Sequence, residues 1–153
     1  MDELDSAIIR HLQEDARQSN RDIARKVGVA PSTCLERIRL LRQRGVIRGY
    51  HADIDLHALN RGVQALVAAQ VRPLSRAVID SFRNSLAALP EVLSVFVTAG
   101  SDDFLVHVSA QDIDHLHSFL VDRLSRRREI VGFRTSVIFQ HMSKQTLERL
   151  PDP

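Results

Sequence analysis

The sequence predicts an α+β protein made of two successive parts. In the first 45 residues, apolar side chains recur every three or four positions between Gly, Pro and small polar residues, which is typical of short helices. From residue 62 onward, alternating apolar runs typical of strands are separated by two longer helical patterns. A chain of 153 residues, 44% of them hydrophobic, is long enough to form two small domains.

Three helices are predicted in the first part. Asp5 is a suitable N-cap for the first helix. The second begins at Ser19 or Asn20 and ends at Gly28, and Pro31 suits the first turn of the third. The apolar stripes of the three helices are Ile8, Ile9 and Leu12; Ile23, Ala24 and Val27; and Cys34, Leu35, Ile38 and Leu41.

The second and third helices are typical of a helix-turn-helix, in which small polar residues begin the second of two helices joined by a glycine-containing turn. In that motif the second helix enters the major groove, and its first turns contact base edges. Ser32 and Thr33 permit close approach to the bases, and Arg37 is long enough to reach a guanine edge or a phosphate. A three-helix bundle without this role has the same apolar spacing and stays open as an alternative.

Positive charge is concentrated in this first part. Residues 1–50 contain ten basic and seven acidic side chains, a balance of +3, whereas residues 51–153 contain eleven and twelve, a balance of −1. This asymmetry favours a polyanionic partner, although a solvated helix face gives a similar pattern. We expect Arg37 to contact a base and the other arginines to contact phosphates. The expected DNA contacts are Arg21, Ser32, Thr33, Glu36, Arg37, Arg39, Arg42 and Arg48.

The second part follows the order strand, helix, strand, strand, helix, strand. This order is the split βαβ, ferredoxin-like arrangement, which places both helices on one face of an antiparallel sheet. The inward stripes of these helices are predicted to be Val78, Ile79, Phe82, Leu86 and Leu89, and Ile113, Leu116, Leu120 and Leu124. The helix-free face mixes apolar and polar side chains, so we expect a partner subunit to cover it. Its predicted residues are Phe96, Leu105 and Ile138 among Ser94, Thr98, His107, Ser109 and Ser136.

The first fifty residues resemble the amino-terminal domain of the leucine-responsive/asparagine-regulator (Lrp/AsnC) transcription factors. The matching features are Leu4-Asp5, Asp15, Arg17, Ser19-Asn20, Val27-Gly28-Val29, Pro31, Cys34, Arg37, Leu41, Gly45-Val46-Ile47 and Gly49-Tyr50. One departure is Ala30, where the family usually has a serine, and this removes a capping hydroxyl worth roughly 1 kcal/mol. The stretch VTAGSDDFLVHV is similar to a pattern of the family's ligand-binding domain through Gly100, Asp103, Phe104 and Leu105.

The resemblance implies a transcriptional regulator that binds a double-stranded DNA operator and responds to an amino-acid effector. It also implies homodimers that assemble further, often to octamers. The expected organisation is a helix-turn-helix domain over 1–45, a hinge over 46–61 and a ligand-binding and oligomerisation domain over 62–153.

The effector site is expected at the connection between the second and third strands. Gly100 lets backbone N–H groups approach the ligand's carboxylate, while the neighbouring aspartates suit its ammonium group. This loop contributes Thr98, Ala99, Gly100, Asp102 and Asp103. By resemblance, the last strand contributes Thr135, Ser136 and Val137.

The sequence also bears on other classes of protein and of site. No apolar run approaches 18 residues and the amino terminus begins acidic, so we expect a cytoplasmic protein that does not contact a membrane. Cys34 is expected to be a small core residue. No cofactor, catalytic site or metal site is expected, although Asp102 with Asp103, or His107, His115 and His117, could be assembled into one. An enzyme and a DNA-organising protein without a ligand remain alternatives.

Overall fold

The computed structural model describes residues 1–151 and divides the chain into two compact units. The first unit contains Met1–Asp53 together with the segment that begins at Met142, and the second contains Ile54–His141. This division differs from the expected hinge over 46–61 and from the expected end of the second domain. The returning segment belongs to the first unit because the Gln13 side-chain amide pairs with the backbone of Leu147, donating to its carbonyl at 3.0 Å and accepting from its N–H at 2.9 Å.

Three helices form the first unit. They are α1 (Glu3–Glu14), α2 (Asn20–Val27) and α3 (Pro31–Gln43). Ser19 caps α2 by accepting from the Asp22 N–H at 3.1 Å, and Gly28 ends this helix in the left-handed conformation with a φ of 74°, as predicted. The predicted cap of α1 is wrong, because Asp2 is the N-cap and accepts from the Asp5 N–H at 2.8 Å.

The core of the first unit consists of one cluster shared by the three helices. Leu35, which was predicted to face inward, is 58% exposed. Its position is about 100° around α3 from Cys34, so it lies outside the line on which Cys34, Ile38 and Leu41 recur. The buried residues are Ile8, Ile23, Ala24, Cys34 and Leu41, with Leu4, Ile9, Leu12, Val27, Val29, Ile38 and Ile47 packed against them.

The second unit has the predicted ferredoxin-like element order. Its elements are β1 (Val63–Val71), α4 (Arg76–Ala87), β2 (Val92–Val97), β3 (Phe104–Ala110), α5 (Ile113–Phe119), a π-helical continuation of α5 (Leu120–Ser125) and β4 (Ile130–Ile138). The four strands form one antiparallel sheet in the order β2-β3-β1-β4. Among the described residues, no helix is long and apolar enough to cross a membrane.

The helices of the second unit pack on one face of the sheet. The rings of Phe82 on α4 and Phe104 on β3 meet edge to face, with 4.7 Å between their centroids. The inward stripe of α5 begins one turn later than predicted, because Ile113 is 56% exposed and the buried residues are Leu116, Phe119 and Leu124. The π-helical turn from Leu120 onward changes the spacing at which side chains return to the same face.

The opposite face of the sheet is helix-free and has the mixed composition predicted from the sequence. Leu105 and His107 alternate along β3 with the buried Phe104 and Val106, so they lie on this face. Phe96 on β2 is 50% exposed. A half-apolar surface of this kind is available to a second molecule.

Candidate functional site

The start of α3 is held firmly against α2 and presents small side chains. The Asn20 side chain donates to the carbonyl of Pro31 at 2.7 Å, and this bond links the first turns of the two helices. Ser32, Thr33 and Glu36 are exposed. Short hydroxyls at the start of an exposed helix allow the backbone to approach a surface closely, and they can donate or accept hydrogen bonds there.

Arg37 on α3 is paired with two carboxylates at the start of α1. Its Nη1 atom donates to Asp2 Oδ2 at 2.6 Å and to Asp5 Oδ1 at 3.2 Å. Asp5 is buried, with 3% exposure. The hydrogen bond and charge of Asp2, followed by Asp5, raise the pKa of Arg37. The backbone N–H of Asp5 and the Arg37 guanidinium lower the pKa of Asp2. This geometry differs from the prediction that Arg37 reads a base, since the guanidinium already binds two carboxylates.

Arg39 and Glu36 form a bidentate ion pair on the exposed side of α3. Arg39 donates from Nε to Glu36 Oε2 at 2.8 Å and from Nη2 to Glu36 Oε1 at 2.6 Å. The pairing raises the pKa of Arg39 and lowers the pKa of Glu36. About half of each side chain is exposed, at 55% and 52%. A surface pair of this kind contributes little to stability, so a phosphate can compete for the arginine.

Other arginines of this unit are free to meet a polyanion. Within residues 1–151, the exposed side chains of Arg21, Arg42 and Arg48 make no ion pair or hydrogen bond. Arg44, which follows α3 as its C-cap, is equally exposed and was missing from the predicted set. Arg44 lies in the same run of basic residues as Arg42 and Arg48, and this run was the sequence signal that could have predicted it. Exposed guanidinium groups without a protein partner suit contacts to phosphates.

Cys34 lies in the core of this unit and has no neighbouring metal ligand. It is fully buried among apolar residues, and this burial raises the pKa of its thiol. The prediction of a core residue is confirmed. Across residues 1–151, no three His, Cys, Asp or Glu side chains converge where a metal ion could sit.

In the second unit, the loop between β2 and β3 is closed by its own hydrogen bonds. The Thr98 N–H donates to the Asp103 carbonyl at 2.9 Å, and Thr98 Oγ1 donates to the Asp102 carbonyl at 2.7 Å. Gly100 has a φ of +154°, which side-chain-bearing residues rarely adopt, and a Cβ atom there would have no neighbour within 4 Å. Space beside Gly100 is therefore open to a ligand.

Backbone donors of this loop are unoccupied. The N–H groups of residues 99, 100, 101 and 102 have no acceptor in the part of the chain that the structure describes. Successive N–H groups on an exposed connection form a surface that accepts an anion such as a carboxylate. These four N–H groups are therefore available as hydrogen-bond donors to a ligand.

The two aspartates of the loop have different partners. Asp103 Oδ2 accepts from the Val71 N–H at 2.8 Å and from Arg72 Nη1 at 2.9 Å, so this carboxylate fastens the loop to the end of β1. Asp102 Oδ2 accepts from Arg134 Nη2 at 2.6 Å and from Ser101 Oγ at 3.1 Å. The partner of Asp102 is Arg134 on β4. The Arg134 side chain is 69% exposed, so it can move away from Asp102.

Arg134 was not among the predicted effector contacts, and the three residues predicted on β4 lie on two different faces of the sheet. Ser136 lies on the helix-free face together with Arg134, opposite Leu66 in the register. Thr135 and Val137 alternate with it and lie on the helix side, where Thr135 Oγ1 is buried without a hydrogen-bond partner. The structure therefore brings Ser136 and Arg134, the partner of Asp102, to one face and places Thr135 and Val137 on the other.

Comparisons with known proteins agree with this architecture. Residues 1–42 match the AsnC-type helix-turn-helix domain, and residues 64–147 match the Lrp/AsnC ligand binding domain. The HTH-type transcriptional regulator AldR of Mycolicibacterium smegmatis is 40% identical over 93% of this chain and 83% of its own length. AldR of Mycobacterium tuberculosis is 40% identical over 93% of this chain and 79% of its own length. The transcriptional regulator AzlB of Bacillus subtilis is 35% identical over 90% of this chain and 88% of its own length.

Solved structures give the same result. A transcriptional regulator of Neisseria meningitidis in complex with L-methionine superposes with a TM-score of 0.88 at 28% identity, covering 99% of this chain and 96% of that one. AsnC of E. coli superposes with a TM-score of 0.85 at 26% identity, covering 96% and 97%. The predicted family and fold class are confirmed, and the relatives named here are regulators. This chain therefore belongs to the Lrp/AsnC family of transcriptional regulators and joins a helix-turn-helix DNA-binding domain to a ligand-binding domain.

Proposed function

We propose that this regulator binds a specific double-stranded operator and that a small amino acid changes its assembly or its DNA affinity. The observation that carries the effector part is the loop of residues 98–103, whose four unoccupied N–H groups lie next to the Asp102 and Arg134 pair. An amino acid has a carboxylate and an ammonium group one carbon apart. The loop offers a complement to each of them.

In this proposal, the exposed start of α3 reads the DNA. Ser32 and Thr33 approach base edges in the major groove, and Glu36 accepts from a cytosine amino group once Arg39 has turned to a phosphate. Arg21, Arg42 and Arg48 contact phosphates. Arg37 acts by holding α3 against α1 through Asp2 and Asp5.

The effector's carboxylate accepts hydrogen bonds from the amides of residues 99–102, where Gly100 leaves room for close approach. Its ammonium group replaces Arg134 as the partner of Asp102, because both groups are cationic donors to the same carboxylate. Asp103 keeps the loop in shape by its bonds to Val71 and Arg72. Ser136 lies on the same face as Arg134, and its small side chain leaves space for the effector's side chain. The complex of the Neisseria meningitidis relative with L-methionine supports this ligand class.

Association through the second unit completes the proposal. The helix-free face of the sheet, with Phe96 half-exposed beside Leu105, supports a homodimer in which this surface is covered. Two helix-turn-helix units in a dimer read half-sites about one helical turn apart, which gives more specificity than one unit can. We further propose that dimers assemble into a larger ring, as an octamer.

A thermal-stability screen of the twenty amino acids tests the effector proposal directly. A ligand that binds only the folded protein raises its melting temperature, and a typical effector then changes operator affinity by about 5- to 150-fold. Asp102→Asn should weaken binding of the stabilising amino acid. Asp122→Asn, which removes a carboxylate from an exposed ion pair on the helical side, is the matched control and should bind normally.

Three outcomes have distinct meanings. If no amino acid stabilises the protein and all DNA sequences bind alike with strong salt dependence, the protein organises DNA without an effector. If an amino acid binds and Asp102→Asn binds it unchanged, the effector site lies elsewhere. Loss of amino-acid binding in Asp102→Asn but not in Asp122→Asn supports an effector site at the loop of residues 98–103.

A further inference from the structure

Leu35 is an apolar residue on the exposed side of α3, close to the start of the helix. It is the fifth residue of α3, and 58% of it is exposed. Within the described residues 1–151, the cluster that forms the core of the first unit does not include Leu35. Packing of the core therefore does not explain why a leucine occupies this position.

Leu35 lies among the side chains proposed to contact DNA. In an α-helix, residues three, four and seven positions apart lie on the same side. Leu35 is three positions after Ser32, and Arg39 and Arg42 follow it by four and seven positions. These three neighbours are all exposed. Because helical side chains lean towards the N-terminus of the helix, the Leu35 side chain extends over the first turns of α3, the part of a helix-turn-helix that contacts base edges.

The chemistry of a leucine side chain restricts what it can recognise. It has no charge and no hydrogen-bonding group, so it gains free energy only when apolar surface is removed from water. Among the base edges of the major groove, only that of thymine presents a methyl group, at C5. The other bases are distinguished there by their hydrogen-bond donors and acceptors. A leucine that approaches base edges therefore distinguishes thymine from the other bases through this methyl group.

The charges around Leu35 favour DNA as the molecule that it contacts. Arg42 makes no ion pair or hydrogen bond within residues 1–151, and Arg39 makes an exposed pair with Glu36. Two arginines on the same side of the helix attract the phosphates of DNA and bring its grooves close to the leucine. We propose that Leu35 contacts the C5-methyl group of a thymine in the operator and gives the protein a preference for that base. This inference rests on the proposed reading of DNA by α3.

Replacing thymine with uracil removes this methyl group alone, so it tests the contact directly. The full-length protein first selects its operator from a random duplex library, and each thymine of that operator is then replaced singly by uracil. At one thymine of a half-site, uracil should weaken binding by the parent protein about fourfold, which corresponds to roughly 0.8 kcal/mol for one buried methyl group.

Two variants and one control assign this effect to Leu35. Leu35→Ala should bind the thymine and uracil operators equally. Leu35→Gln, which also lacks the apolar end of the side chain, should show the same loss of discrimination. Leu59→Ala changes a similarly exposed leucine of the second unit, at 55% exposure, and should discriminate between the two operators as the parent protein does.

The possible outcomes separate this contact from the wider proposal. If the selection enriches no sequence, α3 reads no operator, and the proposed operator binding and the thymine contact are both wrong. If an operator is enriched and uracil weakens binding at none of its positions, only the thymine contact is overturned. The same holds if uracil weakens binding of the parent protein and of both Leu35 variants alike, because another residue then contacts the methyl group.

Discussion

A serine in place of Ala30 should stabilise the DNA-binding unit by supplying a hydrogen bond that α3 lacks. Ala30 is the N-cap of α3, and its φ of −65° and ψ of 144° are the extended values that a capping serine adopts. The N–H groups of Ser32 and Thr33 have no acceptor within residues 1–151. Ala30 is exposed, so an added hydroxyl fits without disturbing the core.

The expected gain is about 1 kcal/mol, the usual difference between serine and alanine at an N-cap. For a unit of 60–100 residues this corresponds to a rise in melting temperature of about 4–8 °C. Ser19→Ala is the matched reverse change, because Ser19 caps α2 through the Asp22 N–H. It should lower the melting temperature by a similar amount.

Tyrosine fluorescence of the full-length protein measures this effect in the correct unit. Tyr50 is the only tyrosine, there is no tryptophan, and Tyr50 lies in the first unit. Its emission therefore follows the unfolding of that unit. If Ser19→Ala lowers the melting temperature and Ala30→Ser leaves it unchanged, the missing cap does not limit the stability of α3 and the reasoning is refuted.

Three further predictions concern DNA contact, assembly and pH. Arg37→Met should weaken binding to all DNA sequences alike and destabilise the first unit, whereas Arg42→Ala should leave the fold intact and reduce the slope of log affinity against log salt by about 1. DNA-binding titrations at several salt concentrations separate the effects of the two substitutions. If Arg37→Met instead lost its sequence preference at a single base pair, Arg37 would be a base-reading residue. Phe96→Glu should shift the assembly towards monomer in light scattering, and an unchanged mass would exclude the helix-free face as the interface. Burial, followed by the charge of His141, lowers the pKa of His107 below its ordinary value of about 6.5. Near pH 6.5 the folded state therefore binds fewer protons than the unfolded state, so the stability that neutral His107 contributes is present above pH 6.5 and is lost as the pH falls. His107→Gln should flatten the fall in melting temperature below pH 6.5. An unaltered pH profile would contradict this.

The sequence alone determined the features that depend on near neighbours along the chain. α2 begins after Ser19 and ends at Gly28, as predicted. Both ends follow from nearby residues, because a cap uses atoms within four positions and glycine itself permits the left-handed conformation. The alternation of β1 predicted its buried face, since successive side chains of a strand must point to opposite sides. The family resemblance rests on the same short-range patterns.

Tertiary structure decided which distant side chains share a site. Arg37 meets Asp5 across 32 positions and Arg134 meets Asp102 across the same separation, and neither pairing follows from any local spacing. The register of β4 on β1 places Ser136 on the face of Arg134 and removes Thr135 from it, because a shift of one residue in a strand exchanges the two faces. Local hydrogen bonding selects helices and turns, whereas strand register and helix packing select the partners of each charge.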